Sequence, residues 1–242
     1  MRLTRVYIEE PLARDSRVRL AGAAVKHVKR VLRLEPGDEL TLFDGRGGEY
    51  AARLEGFAQD AVLLAVGPQR AVERESPLAV TLAQGISRGE RMDLVVQKAT
   101  ELGVASIAPL VTERTVVRLD GGQAQMRVRH WRAIAIAACE QCGRNTLPEL
   151  TAPQTLAGFL ADSRPEGARL VLSPGGSLRT ADLEPSRRVT LLIGPEGGLA
   201  EQELEAAVAA GFRTLRLGPR VLRTETAAIA ALAAIQLKLG DL

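Results

Sequence analysis

The sequence predicts an α/β protein: a small N-terminal β-barrel followed by a mainly parallel sheet covered by helices on both faces. Three observations predict it. Beyond about residue 77, short apolar runs alternate with segments of helical period. Those runs, such as ARLVLS and RVTLLIG, are apolar without alternation, as strands buried on both faces require. Before residue 72 the apolar residues alternate with polar ones between Gly-rich turns, the pattern of a meander.

In the first 72 residues, AAVKHVKRVLRL reads as one helix, closed by the turn Glu35-Pro36-Gly37-Asp38. The stretch TLFDGRGGEYAARLEGFAQDAVLLAV reads as strands parted at Asp44-Gly45, Gly47-Gly48 and near Asp60. The charged run QRAVERESP marks a boundary, so the expected domains are 1–72 and 73–242. Beyond it, LAVTLAQGI is a strand and ERMDLVVQKATELGV a helix, with Met92, Val95, Val96, Ala99 and Leu102 on one face and Gly103 as its C-terminal stop. ASIAPLV is a strand, and RHWRAIAIAACEQC a helix burying Trp131, Ile134, Ala135 and Ala138. ARLVLS and RVTLLIG follow as strands, EQELEAAVAAG as a helix, TLRLG as a strand and ETAAIAALAAIQLKL as the last helix. Strands alternating with helices imply the parallel sheet.

Bulk properties exclude several classes. No apolar run approaches the roughly 20 residues that cross a bilayer, and the charged start MRLTRVYIEEPL lacks a signal peptide's apolar stretch. A cytoplasmic protein without a membrane partner is expected. Cys139 and Cys142 form a lone CxxC, and with two histidines in the chain a four-ligand zinc site is poorly supplied. The reading is packing thiols and no metal. Net charge is only +3, yet four of the 32 basic residues are lysine. Arginine's planar fork suits phosphate and base recognition, although abundant Ala and Leu point first to compositional bias.

The strongest local signal is RVTLLIGPEGGLAEQELEAAV, a buried strand, a glycine-rich turn and a helix. Ligands of parallel sheets bind beyond the carboxyl ends of strands, where glycine admits close backbone approach. The turn Gly194-Pro195-Glu196-Gly197-Gly198 has the spacing of neither a dinucleotide fingerprint nor a P-loop. Two more loops leave strands in the same direction, one over 172–176 and one over 217–227. Three such loops suggest one pocket; a mere tight turn is the plainer alternative for any one of them. In the first domain Lys26, Lys29, Arg30 and Arg33 fall on one helical stripe, an RNA footprint or an ordinary solvated face.

LLIGPEGG followed by LGPRVLRTETA resembles the C-terminal signature of the ribosomal RNA small subunit methyltransferase E family, of the SPOUT superfamily. RMDLVVQKATELGVASIAPLVTERT, AACEQCGRNTLPEL and the N-terminal HVKRVLRLEPGD agree with it, in the same order. The resemblance implies a deep trefoil knot in the catalytic domain, an exception to the unthreaded rule, and a PUA-like N-terminal domain. It implies a homodimer that uses S-adenosyl-L-methionine, without metal, to methylate N3 of a uridine of 16S ribosomal RNA in the small subunit. Carried onto this chain, donor contacts would come from Leu172, Ser173 and Gly175; from Gly194, Pro195, Gly197 and Gly198; and from Leu217, Gly218, Val221, Leu222 and Thr226.

Methyl transfer from a sulfonium needs positioning above all. The N3 proton of uridine must also leave, and the developing charge on O2 and O4 needs a partner. Arg223 and Glu225 are candidates for oxyanion stabiliser and proton acceptor, with Glu196 a rival acceptor; a plain ion pair between Arg223 and Glu225 is the alternative. Arg114 and Arg144 are candidates to grip phosphate or a flipped base. Two other functions remain open: a SPOUT methyltransferase acting on a ribose 2′-oxygen or on tRNA, and a non-catalytic RNA-binding assembly factor.

Overall fold

Period-two alternation builds the first sheet. Its strands are β1 (Arg5–Tyr7), β2 (Arg17–Ala21), β3 (Glu39–Phe43), β4 (Glu49–Ala58) and β5 (Ala61–Arg70), in the order β1-β3-β4-β5-β2. β1 runs parallel to β3, and the other neighbours are antiparallel, so this is a mixed sheet. Leu40 and Leu42, Ala52 and Leu54, and Val62, Leu64 and Val66 all point to one buried face. The computed structural model describes residues 4–117, 121–162 and 167–242. The chain forms two units, Met1–Glu75 with Cys139–Leu147, and Ser76–Ala138 with Pro148–Leu242.

The helix expected over 23–34 divides in two. α1 (Ala23–Lys26) passes into a wider-wound π-helix, His27–Leu32, which ends at Arg33 in the left-handed conformation with φ 56°. Val28 is fully buried against the sheet, while Lys26, Lys29, Arg30 and Arg33 are exposed. Wider winding breaks the stripe that a 3.6-residue period assigns. Lys26, Lys29 and Arg30 line one surface hollow with Gly22, Val25 and Asp60, and Arg33 is not among its walls. Lys29 Nζ lies 5.2 Å from the centre of the Phe57 ring.

Within the same unit, buried charge fixes the segment Cys139–Leu147. Arg5, 2% exposed, donates through Nη1 to Glu49 Oε2 at 2.5 Å and through Nη2 to Arg144 O at 3.1 Å and Asn145 Oδ1 at 2.5 Å. Burial alone would raise the Glu49 carboxyl, but hydrogen bonds and charge from Arg5 and Arg74 outweigh it and hold it below its ordinary value. Arg144, expected at an RNA surface, is 4% exposed, and its Nε donates to both Glu75 oxygens at 3.1 and 3.0 Å. A guanidinium buried and spent on a carboxylate offers no grip on phosphate, so that expectation is corrected. Cys139 is buried and donates to Thr146 O at 3.7 Å. Desolvation pushes its thiol up to about 12.

The second unit is an all-parallel sheet. Its strands are β6 (Ala79–Gly85), β7 (Ser106–Val111), β8 (Glu149–Leu150), β9 (Gln154–Thr155), β10 (Ala168–Leu172), β11 (Leu178–Arg179), β12 (Arg188–Ile193) and β13 (Arg213–Arg216). The order is β11-β13-β10-β12-β6-β7-β8, with β9 also pairing β7. Successive residues point to opposite cores. Leu82, Ile107, Leu170 and Leu191 pack with α2 (Glu90–Glu101), α3 (Gly121–Cys142) and α6 (Thr224–Leu239). Ala83, Ala108, Val171 and Leu192 pack with α4 (Leu156–Asp162) and α5 (Glu201–Ala209). Two apolar faces per strand account for the unbroken apolar runs. α3 begins eight residues before the predicted RHWRAIAIAACEQC, and α4 is an addition to the predicted set.

Candidate functional site

Strands β13, β10 and β12 are parallel neighbours, so the loops after them lie side by side at the carboxyl end of the sheet. They enclose a cavity of about 380 Å3, within the roughly 300–1,000 Å3 of small-molecule sites. Leu172, Ser173 and Pro174 come from the first loop; Gly194, Pro195, Glu196, Gly197 and Gly198 from the second; and Leu217, Gly218, Arg220, Val221 and Leu222 from the third. Ile193, Leu199, Leu204 and Ala227 complete an apolar lining, with Thr224 and Arg114 as polar additions.

Close backbone packing explains the glycines. A Cβ on Gly194 would lie 2.7 Å from Gly198 C and Leu199 N. Gly85, at the end of β6, would place one 2.5 Å from Pro195. Gly198 is different: its φ is +69°, and a Cβ there would meet nothing within 4 Å, because it would point into open space. A carbonyl-to-amide bond, Gly198 N–H to Pro195 O at 2.9 Å, closes the turn.

Side chains tie this turn on two sides. Thr224 Oγ1 donates to Gly194 O at 2.7 Å, and Gln84 Nε2 reaches Thr224 Oγ1 at 3.0 Å and Gly194 O at 3.3 Å. Glu196 Oε1 accepts from Arg88 N–H at 2.8 Å and from Arg91 Nη1 at 3.1 Å. Burial pulls the Glu196 carboxyl up, but these bonds and the Arg91 charge prevail and hold it below its ordinary value. Arg114 donates through Nη1 to Gly197 O at 2.9 Å, so it stands at the cavity wall.

Of the expected donor contacts, Gly175 and Thr226 lie outside the cavity lining, and the other ten line it. Glu196 lines it, but Arg223 and Glu225 do not: in the chain leading into α6 the residues facing it are Leu222, Thr224 and Ala227. Arg223 is exposed and extended, with ψ 151°, at the residue before α6. Glu225 is in the first turn of α6, and its Oε2 is buried with no hydrogen-bond partner. Among the described residues the two form no ion pair with each other. The sequence placed Arg220 and Thr224 in the 217–227 loop without giving either a role, and it did not mark Gln84 at all; a lone amide inside an apolar strand carries no pattern of its own. Among the described residues no group of three or more His, Cys, Asp or Glu could hold a metal, and no helix is long and apolar enough to cross a membrane.

Residues 74–236 match the family described as RNA methyltransferase domain, and residues 20–61 match the RNA methyltransferase PUA domain. The chain is 34% identical to ribosomal RNA small subunit methyltransferase E of Buchnera aphidicola subsp. Schizaphis graminum over 100% of this chain and 98% of that protein. The Bacillus subtilis protein of the same name is 31% identical, over 89% of this chain and 88% of its own length. A putative methyltransferase of Legionella pneumophila, solved with bound S-adenosylmethionine, superimposes with a TM-score of 0.96 at 44% identity over 100% of both chains. The ribosomal RNA small subunit methyltransferase E of Neisseria gonorrhoeae, solved bound to S-adenosyl methionine, gives 0.92 at 39% identity over 99% of each.

Proposed function

The chain belongs to the ribosomal RNA small subunit methyltransferase E family, and we propose that it moves a methyl group from S-adenosylmethionine to N3 of a specific uridine of 16S ribosomal RNA. The observation that carries the donor reading is the three-loop cavity. It has the volume for a nucleoside-sized ligand, an apolar lining, and a glycine turn in which a Cβ on Gly194 would strike the backbone of Gly198 and Leu199 and Gly198 takes a positive φ. S-adenosylmethionine supplies an activated methyl group on a positive sulfur, so no metal is called for.

The protein's part is then positioning and proton handling. Leu172, Leu217 and Leu222 hold the apolar portion of the donor, and the backbone of Gly194, Gly197, Gly198 and Gly218 offers close polar contact. Uridine N3 must lose its proton. Glu225 suits that task, since its buried Oε2 has no partner, whereas Glu196 is already held ionised by Arg88 and Arg91. Arg223, exposed beside it and free of an ion pair with Glu225, stabilises the charge developing on the pyrimidine oxygens. Both adjoin the lining residues Leu222 and Thr224 without lining the cavity themselves, and Arg223, the exposed one, is open to an RNA. Lys26, Lys29, Arg30 and Arg33 of domain 1–72 grip RNA phosphates, with Arg114 contacting RNA at the cavity mouth of domain 73–242. The resemblance adds a homodimer, a knotted catalytic domain and a PUA-like barrel to this reading.

The test is mass spectrometry of nucleosides from 16S ribosomal RNA of strains with and without the gene, with the purified protein added back. Loss and restoration of 3-methyluridine is the expected result. Loss of a 2′-O-methyl nucleoside, or an unchanged RNA, overturns the assignment.

A further inference from the structure

Behind the cavity wall formed by Gly194 and Thr224 lies Gln84, which does not itself line the cavity. β6 and β12 are adjacent and parallel, with Gln84 in register with Ile193, so the Gln84 side chain lies beside the first residue of the glycine turn. Gln84 is fully buried. Its Nε2 is within 3.0 Å of Gly85 O, 3.0 Å of Thr224 Oγ1 and 3.3 Å of Gly194 O. Thr224, 7% exposed, donates its own hydroxyl hydrogen bond to Gly194 O at 2.7 Å. The Gly194 carbonyl therefore has two neighbouring donors, and the residue after it, Pro195, has no N–H through which the peptide plane could be held instead. These contacts connect three chain segments: the end of β6, the turn after β12, and the start of α6 behind the loop after β13.

We propose that Gln84 and Thr224 are positioning residues: acting through the Gly194 carbonyl, they fix the spacing between the second and third cavity loops and thereby the affinity for the methyl donor. Stability alone does not account for the amide. Gln84 Oε1 is buried with no partner, an arrangement that works against stability, and a methionine of similar length would fill the space without an unpaired acceptor. Thr224 also lines the cavity, so the chain of bonds ends at the ligand's wall. A small rotation of the Gly194 peptide would move that wall, and positioning errors at such sites are felt strongly.

The inference rests on the donor reading above, and the experiment separates the two. Thr224→Val and Gln84→Met keep volume and remove the hydrogen bonds; Thr224→Ser keeps the hydroxyl. Donor affinity is measured by calorimetry, kcat and KM for donor with ribosomal RNA as acceptor, and folding by a melting curve. The expected result is at least a fivefold rise in donor Kd and KM for Thr224→Val and Gln84→Met, with kcat at saturating donor within twofold and Thr224→Ser close to the unsubstituted protein. Donor Kd within twofold in both variants overturns the proposal. So does a lower kcat at unchanged KM, the mark of a reduced folded fraction, or loss of folding in both variants. If the unsubstituted protein itself binds no S-adenosylmethionine, it is the proposed function that fails.

Discussion

Replacing Gly194 with alanine tests the donor site through backbone geometry alone. The added Cβ would lie 2.7 Å from Gly198 C and Leu199 N and 3.0 Å from Gly198 Cα, where ordinary contact begins at 3.4 Å. All three are backbone atoms, so no side-chain rotation relieves the clash, and the turn itself must open by about 0.7 Å. Overpacking of this kind costs about 1–3 kcal/mol. If the whole of it falls on the bound conformation, at about 1.4 kcal/mol per tenfold the donor binds roughly 5- to 150-fold more weakly. Calorimetry with S-adenosylmethionine reads the affinity. A melting curve reads the stability share, at about 2–4 °C per kcal/mol for a chain of this size. Gly175→Ala is the matched control, since a Cβ there meets nothing within 4 Å and the residue does not line the cavity; its affinity should stay within twofold. A folded Gly194→Ala protein with unaltered affinity would refute the assignment of the 194–198 turn to the donor site.

Lys26→Ala with Arg30→Ala should weaken RNA binding and lower its salt slope by roughly 0.7–0.9 for each phosphate no longer neutralised, leaving donor affinity unchanged; binding at several salt concentrations checks it, and an unchanged slope makes the hollow a plain solvated surface. Glu225→Gln or Arg223→Ala should lower the single-turnover methyl-transfer rate by about 10²–10³, while melting temperature and donor affinity hardly move; normal rates in both would remove them from the chemistry. Glu196→Gln should lower that rate by less than the roughly 10²–10⁴ that loss of a general base entails, because its carboxylate already serves Arg88 and Arg91. The folded-state shift of Glu196 is downward, so the latch that its bonds from Arg88 and Arg91 place on the 194–198 turn is present above the ordinary carboxylate range and is lost as pH falls through the lowered value. Donor affinity measured against pH should therefore stay level from neutral into weak acid and fall only below it, and a fall starting near neutrality would contradict the latch.

The parallel sheet was legible because each of its long strands is apolar on both faces, and the alternation of Leu82 with Ala83 and Leu191 with Leu192 between two cores explains why no polar period interrupts them. The loops were legible because their glycines answer either to backbone crowding, at Gly176 and Gly194, or to a positive φ, at Gly198 and Gly218, and both leave a residue-type signature. The basic stripe was only half legible: four exposed cations were identified, but the π-winding after Lys26 turns on backbone hydrogen bonds that a 3.6-residue count does not contain. Arg144 shows the opposite failure. As a sequence symbol it is the same as an exposed arginine, and only the distant Glu75 and the hydrogen bond from Arg5 to its carbonyl reveal that it is spent inside its unit. Gln84 was invisible for the same reason, since its partners are 110 and 140 residues away. What the sequence conceals at this site is thus the long-range polar contact. Apolar period and glycine spacing are local and survive in one dimension, whereas a buried amide has meaning only beside the carbonyl it holds. That asymmetry is why the walls of the cavity could be foreseen and the groups that set its shape could not.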